Sequence, residues 1–256
     1  MRIGAQLYTV HDFCQTLDDF ENTLKKVADI GYEIVQVSGT CPYEGEWLKE
    51  KLDKYGLKCA ITHIPYPKLT EDLDSVIKEH HKFDCKYIGL GGVPGFWAED
   101  LKRDVWVDFS KDAVQIGQKI KDAGCYFMYH NHHLEFFEID GDYAFKYMPE
   151  NIPADLMGFT LDTYWVKVGG HDPVEWLKKL EGRTPCIHLK DMILDSDGKP
   201  KMAPVGKGVL DFEAITTVAQ ELGVEYALVE QDNCYGEDPF DCLRQSYNYL
   251  ASLGLR

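Results

Sequence analysis

Eight times along this chain, a short β-branched or aromatic run is followed by a stretch whose apolar residues recur every third and fourth position. The runs cover residues 3–9, 33–38, 58–64, 86–91, 125–132, 158–162, 186–190 and 226–231, and they predict strands. The stretches between and after them, 18–30, 46–55, 71–82, 108–123, 142–148, 173–180, 212–222 and 239–253, predict helices. On the first of these Phe20, Leu24, Val27 and Ile30 form one stripe, as expected of a helix laid on a sheet.

The punctuation agrees with that alternation. Gly31, Gly56, Gly124 and Gly223 each close a helical stretch, where a residue free to adopt positive φ is wanted. Asp172-Pro173 and Asp238-Pro239 supply a cap and a first-turn proline for the sixth and eighth helices. Eight strand–helix units in 256 residues match a closed (β/α)8 TIM barrel. An open doubly wound sheet is the structural competitor, because strand count alone does not show closure. No linker-like segment interrupts the pattern, which predicts one domain over 1–256.

Charge narrows the partners. With 27 Lys and Arg against 43 Asp and Glu, the formal charge is −16, and no basic cluster offers a local exception. Such a surface repels phosphate backbones and anionic headgroups, so neither nucleic acid nor a membrane surface is an expected partner. No run approaches the roughly 18 apolar residues of a spanning helix, and the start MRIGAQLYTV lacks a signal-like apolar stretch. The eight scattered cysteines, with no C-x-x-C pair, read as reduced thiols. The chain therefore reads as cytoplasmic; a homo-oligomer is compatible with it.

In a closed barrel the chemistry sits at the C-terminal strand ends, so the polar residues there matter most. Strands one, two and four end mildly, in Tyr8-Thr9, Ser38 and a glycine pair. Strand three ends in His63, strand five in His130-Asn131-His132-His133 with Glu135 beyond, strand six in Asp162, strand seven in His188 with Lys190-Asp191, and strand eight in Glu230 with Asp232. Histidine plus carboxylates without cysteine suits a divalent ion of the Mn, Co, Mg or Zn kind. The expected ligands are His130, Asp162, His188 and Glu230, with Glu135 in the loop above reaching substrate; the reverse, Glu135 on the metal and His130 or His132 as base, is equally compatible with the spacing. Lys190 shares a face with His188 and is placed to meet a developing oxyanion, the bland alternative being a surface pair with Asp191. His63, Tyr8 and Trp165 are candidate sugar contacts, as are Trp97 and Phe136. The stretch 192–209, rich in turn residues, is read as a partial lid. Gly89-Leu90-Gly91-Gly92-Val93-Pro94 fails as a dinucleotide fingerprint, and His80-His81 reads as a solvated helix face.

The second half of the chain also carries a resemblance. Tyr129-His130-Asn131-His132-His133-Leu134-Glu135-Phe136, Leu161-Asp162-Thr163-Tyr164-Trp165-Val166 with Gly169-Gly170-His171-Asp172-Pro173, Ile187-His188-Leu189-Lys190-Asp191 and Val229-Glu230-Gln231-Asp232 resemble the sugar phosphate isomerase/epimerase group of xylose isomerase-like barrels. The resemblance implies relatives such as ketose 3-epimerases, hydroxypyruvate isomerases and inosose isomerases and dehydratases, with a divalent metal held by Glu, Asp, His and Glu from strands five to eight. Asp162, His188 and Glu230 match the last three. The chain departs from the group at His130, where the epimerases have Glu, and at Trp165, where they have a substrate-contacting His.

These readings converge on a metal-dependent isomerase or epimerase of a keto sugar or related polyol ketone, in which a base removes the proton beside a polarised carbonyl and an enediolate forms. Glu230, His132 and Glu135 are the candidate bases. A lyase or dehydratase on a keto-inositol or 3-keto-glycoside would use the same site, and a carbohydrate-binding barrel without metal is the non-enzymatic alternative. An endonuclease is disfavoured by the acidic surface.

Overall fold

The computed structural model describes residues 1–98 and 100–256. Strands with largely buried residues and neither edge exposed are what near-continuous apolar runs build. The chain forms eight of them, β1 (Arg2–Gln6), β2 (Ile34–Val37), β3 (Lys58–His63), β4 (Tyr87–Leu90), β5 (Tyr126–His130), β6 (Met157–Asp162), β7 (Cys186–Leu189) and β10 (Tyr226–Val229). All pair in parallel, and β1 pairs with both β2 and β10, closing the barrel. The open-sheet alternative is thereby excluded. Ile34, Ile61, Tyr87, Met128, Cys186, Tyr226 and Leu228 form one buried cluster inside the barrel.

Helices wrap the outside: α1 (Leu17–Ile30), α2 (Gly45–Tyr55), α3 (Tyr66–Glu71), α4 (Leu73–Lys82), α5 (Asp104–Asp122), α6 (Ala144–Asn151), α7 (Thr163–Val168), α8 (Pro173–Lys179), α9 (Phe212–Glu221) and α10 (Pro239–Ser252). Among the described residues no helix is long and apolar enough to cross a membrane. The expected stripe of α1 is buried as read. Gly31 stops it at φ +122°, where a Cβ would also lie 2.6 Å from the Tyr247 ring. Asp172 and Asp238 cap α8 and α10. All eight cysteines are free, six of them buried.

Several expectations need correction. The helix expected over 71–82 is α4, and a further short helix, α3, precedes it and was not expected. His80 is not solvated: it is 2% exposed, its Nδ1 paired with the Val76 carbonyl and its Nε2 with the Thr62 hydroxyl at 2.7 Å each. Strand one stops at Gln6 rather than Thr9, because the Gln6 side chain accepts the Tyr8 N–H and turns the chain into a 3-10 helix, Leu7–Phe13. Finally, the stretch read as a lid folds as an antiparallel hairpin, β8 (Asp191–Leu194) with β9 (Pro200–Ala203). The Asp191 carboxylate anchors its far side, accepting the N–H groups of Gly206, Gly208 and Leu210.

Candidate functional site

A cavity of about 540 Å³ opens at the C-terminal strand ends, bounded by Tyr8, Ser38, His63, Trp97, His132 and Trp165, with His130, Lys190, Glu230 and Asp232 deeper. On its floor one atom each from His130, Asp162, His188 and Glu230 lie within 4.8 Å of one another, and all four residues are buried. Each comes from a strand end. His130 closes β5, Asp162 closes β6, His188 lies in β7 and Glu230 follows β10.

The two oxygens of Asp162 have separate tasks. Oδ1 caps α7 by accepting the Trp165 N–H at 3.0 Å, while Oδ2 faces the cluster, 3.2 Å from His130 Nε2 and 3.6 Å from His188 Nδ1. Asn131, just after β5, steadies the same residue, its side-chain oxygen accepting the Asp162 N–H at 3.0 Å. His188 Nε2 donates to the Gln36 side-chain oxygen at 2.7 Å, which turns Nδ1 toward the carboxylates. Nδ1 then stands 2.8 Å from Glu230 Oε2 and pairs with that carboxylate. The donor atoms of His130, Asp162, His188 and Glu230 thus converge on one place.

Charge supports the same conclusion. Lys190, 1% exposed, has its ammonium 3.1 Å from Asp162 Oδ2, 2.9 Å from Glu230 Oε2 and 2.9 Å from Asp232 Oδ1. Three carboxylates around one ammonium leave two negative charges in a buried place, which a divalent cation would balance. Nitrogen and carboxylate donors without sulfur suit such an ion. The residues present fit the group.

The same carboxylates set the local protonation. Burial alone would raise the Asp162 and Glu230 carboxyls, but Lys190 and the neighbouring imidazoles outweigh it and hold both well below the usual range. Burial would likewise lower Lys190, but Asp162, Glu230 and Asp232 raise it. His188 is raised by Glu230 and Asp162 against its burial. His130 is pushed down to about 4 by burial and the adjacent His188, and His63 is driven well down by burial with His130 and His188 beside it. Burial and the Glu230 charge push Asp232 up to about 6.

The match to the xylose isomerase-like TIM barrel model covers residues 24–252, which is most of the chain. The chain belongs to that family. An inosose dehydratase of Clostridium beijerinckii is 23% identical over 90% of this chain and 88% of its own. A sugar phosphate isomerase/epimerase from Parabacteroides distasonis superposes with a TM-score of 0.82 at 24% identity, covering 97% of this chain and 93% of that one. An L-ribulose 3-epimerase does so with a TM-score of 0.75 at 15% identity, over 98% and 94%. At these identities the superpositions speak for the fold.

Within this xylose isomerase-like barrel the residues singled out from sequence are brought together unevenly. His130, His132, Lys190, Glu230, His63, Tyr8 and Trp165 line the cavity, with Asp162 and His188 beneath them. Glu135 is not among the lining residues. It is 1% exposed, and its oxygens accept the Tyr129 hydroxyl at 2.6 Å and the His132 N–H at 2.9 Å, while His132 Nδ1 stands 3.7 Å away. It supports His132 from behind. Phe136 turns into the core against Phe145 and Trp176. The surface pair of Lys190 with Asp191 does not form, since each has buried partners of its own.

Two residues were missed. Gln6 and Gln36, both fully buried, sit side by side in register on β1 and β2, and Gln36 orients His188. The signal was an amide inside an otherwise apolar run, Ile34-Val35-Gln36-Val37. The β2–β3 register slips between Val35 and Gln36, an irregularity of the kind that re-aims a side chain beside a site.

Proposed function

We propose that the chain is a metal-dependent isomerase or epimerase of a keto sugar or related polyol ketone. The observation that carries this reading is the convergence of four buried donor atoms, from His130, Asp162, His188 and Glu230, beneath a cavity of sugar size with one ammonium beside them. Those four would hold a divalent ion of the Mn, Co, Mg or Zn kind, which when bound polarises a substrate carbonyl and stabilises the enediolate oxygens.

The rest falls to the chain. Glu230 and His132 face the cavity and are the groups to take and return the proton on carbon. Glu135 holds His132 in place through the bond to its backbone and the carboxylate beside Nδ1. The Lys190 ammonium, supported by Asp232, donates to the developing oxyanion. His63, Tyr8 and Trp165 form walls on which sugar hydroxyls and C–H faces rest.

A second reading, a lyase or dehydratase on a keto-inositol or 3-keto-glycoside, is favoured by the inosose dehydratase relatives. It begins with the same proton removal and then loses a β-hydroxyl. The test is elemental analysis of purified protein with proton exchange at ketose and inosose C–H in deuterated water, with and without chelator. Chelator-sensitive exchange supports the proposal, and a product lighter by one water selects the dehydratase. Absence of both stoichiometric metal and exchange overturns it. Sugar binding unchanged in Asp162→Asn would instead indicate a carbohydrate-binding barrel.

A further inference from the structure

A second cavity, of about 560 Å³, lies beside the first, between the loop after β2 and the segment running from the end of β3 to α4. Ser38, His63, Ile64 and Pro65 line both cavities, so these side chains form the wall the two share. In that wall the Ser38 hydroxyl stands 3.4 Å from His63 Nδ1, while His63 Nε2 is buried with no partner. Each cavity alone is of a size that holds a small organic molecule. A single sugar ring above the buried cluster uses only the first.

The two cavities are lined by opposite chemistry. The first has His130, His132, Lys190, Glu230 and Asp232; the second has Cys41, Pro42, Tyr43, Ile64, Val76 and Phe83. The Tyr43 and Phe83 rings stand edge to face, with centroids 6.3 Å apart. Among the described residues, the charged members of the second lining are already engaged. Lys68 pairs with Asp72 at 3.4 Å, and Glu79 pairs with Lys82 at 2.6 Å and accepts the Gly45 N–H at 2.8 Å. His80 commits both ring nitrogens, to Val76 and Thr62. What such a lining gains from a ligand is the burial of apolar area. A group that needs hydrogen-bond partners of its own gains little there.

We propose that the second cavity is a subsite for an apolar aglycone. The ligand is then a glycoside whose ketone-bearing ring lies above the buried cluster and whose aryl or alkyl group lies among Tyr43, Ile64, Val76 and Phe83. His63, on the shared wall, brings its unpartnered Nε2 to the oxygen that bridges the two parts. This rests on the reading above that the first cavity takes a carbohydrate ketone, and adds to it a second site with a different ligand chemistry. The experiment is calorimetric titration of the full chain with methyl and phenyl 3-keto-glucosides, which differ only in the group the second cavity would take. The phenyl member is expected to bind tighter by about tenfold or more. Cys41 is half-buried in the second lining and serves as a local reporter. Its labelling by N-ethylmaleimide, mapped by peptide mass, should slow in saturating phenyl glycoside and stay unchanged in saturating methyl glycoside. Val76→Trp, which fills the second cavity, should bring the phenyl member down to the affinity of the methyl one. Equal affinities in the wild type, binding of neither, or Cys41 labelled at the same rate with both overturns the proposal, whether or not the variant folds. Because binding is read apart from turnover, the two readings fail separately. Tighter phenyl binding without C–H exchange breaks the isomerase reading alone, and exchange of ketose protons with equal binding of the pair breaks the subsite alone.

Discussion

The two halves of the barrel rim are built from different chemistry. Strands β5, β6, β7 and β10 deliver His130, Asp162, His188, Lys190 and Glu230, whereas β1 to β3 deliver Gln6, Gln36 and His63, all without formal charge at neutral pH given the depressed His63. His63 and His188 show what the division does. Their rings are 5.8 Å apart and both are buried, yet burial drives His63 down while Glu230 and Asp162 lift His188. His188, faced by two carboxylates, is lifted, whereas His130, with Asp162 at 3.2 Å but His188 beside it, is still pushed down, and the carboxylates come from one half only. Under the proposed function the charged half binds and reacts, and the neutral half orients.

The largest effect should come from Asp162→Asn. The amide keeps the α7 cap, because Asn caps as well as Asp, but removes the charge that faces both histidines. Metal content measured by elemental analysis should fall to trace and turnover should drop on the order of a thousandfold, with the far-UV spectrum unchanged. Full metal occupancy in this variant would break the assignment of the charged half.

Lys190→Met tests the same half from the other side. Three carboxylates lose their buried cation, which should cost the metal-free protein about 3–5 kcal/mol. Because Lys190 and the ion would share Asp162 Oδ2 and Glu230 Oε2, added Mn²⁺ should restore more Tm in the variant than in the wild type. Equal metal-induced shifts would show that the ammonium and the ion do not interact.

The contrast between halves also explains what could be read from the chain. Charged residues at strand ends announce themselves in a sequence, so Asp162, His188 and Glu230 were legible, as was the eightfold alternation that closes the barrel. A buried amide carries no such mark, and Gln36 is known only once β2 is placed across the barrel from β7. Glu135 misled because a carboxylate in a loop reads as free, although its side chain reaches back three residues to accept the His132 N–H. His80 misled because its charged neighbours masked a single buried position opposite Thr62. The hairpin escaped because Asp191 pairs with N–H groups fifteen and more residues away.

Gln36 offers the sharpest test of the neutral half. If its oxygen accepts from His188 Nε2, then Gln36→Glu keeps an acceptor and should hold Mn²⁺ affinity within a few-fold, whereas Gln36→Leu should lose about 10–100-fold. Isothermal titration reads both. Weaker binding in the Glu variant than in the Leu variant would mean that the amide donates rather than accepts, and that His188 presents the other tautomer.

The smallest effect lies farther out in the neutral half, at His80. Burial, aided by His81 and opposed by the Val76 carbonyl and Glu79, pushes it from 6.5 down to about 4. The folded state therefore keeps His80 neutral while the unfolded chain takes up a proton below 6.5. Its stabilising contribution is present above that pH and is lost as pH falls toward about 4, amounting to about 2 kcal/mol by pH 5. His80→Gln should be less stable than the wild type at pH 7, yet its urea midpoint should fall less between pH 7 and pH 5. Parallel midpoints across that range would show that Thr62 and Val76 do not hold the ring neutral, and acid sensitivity would have to be traced to the rim instead.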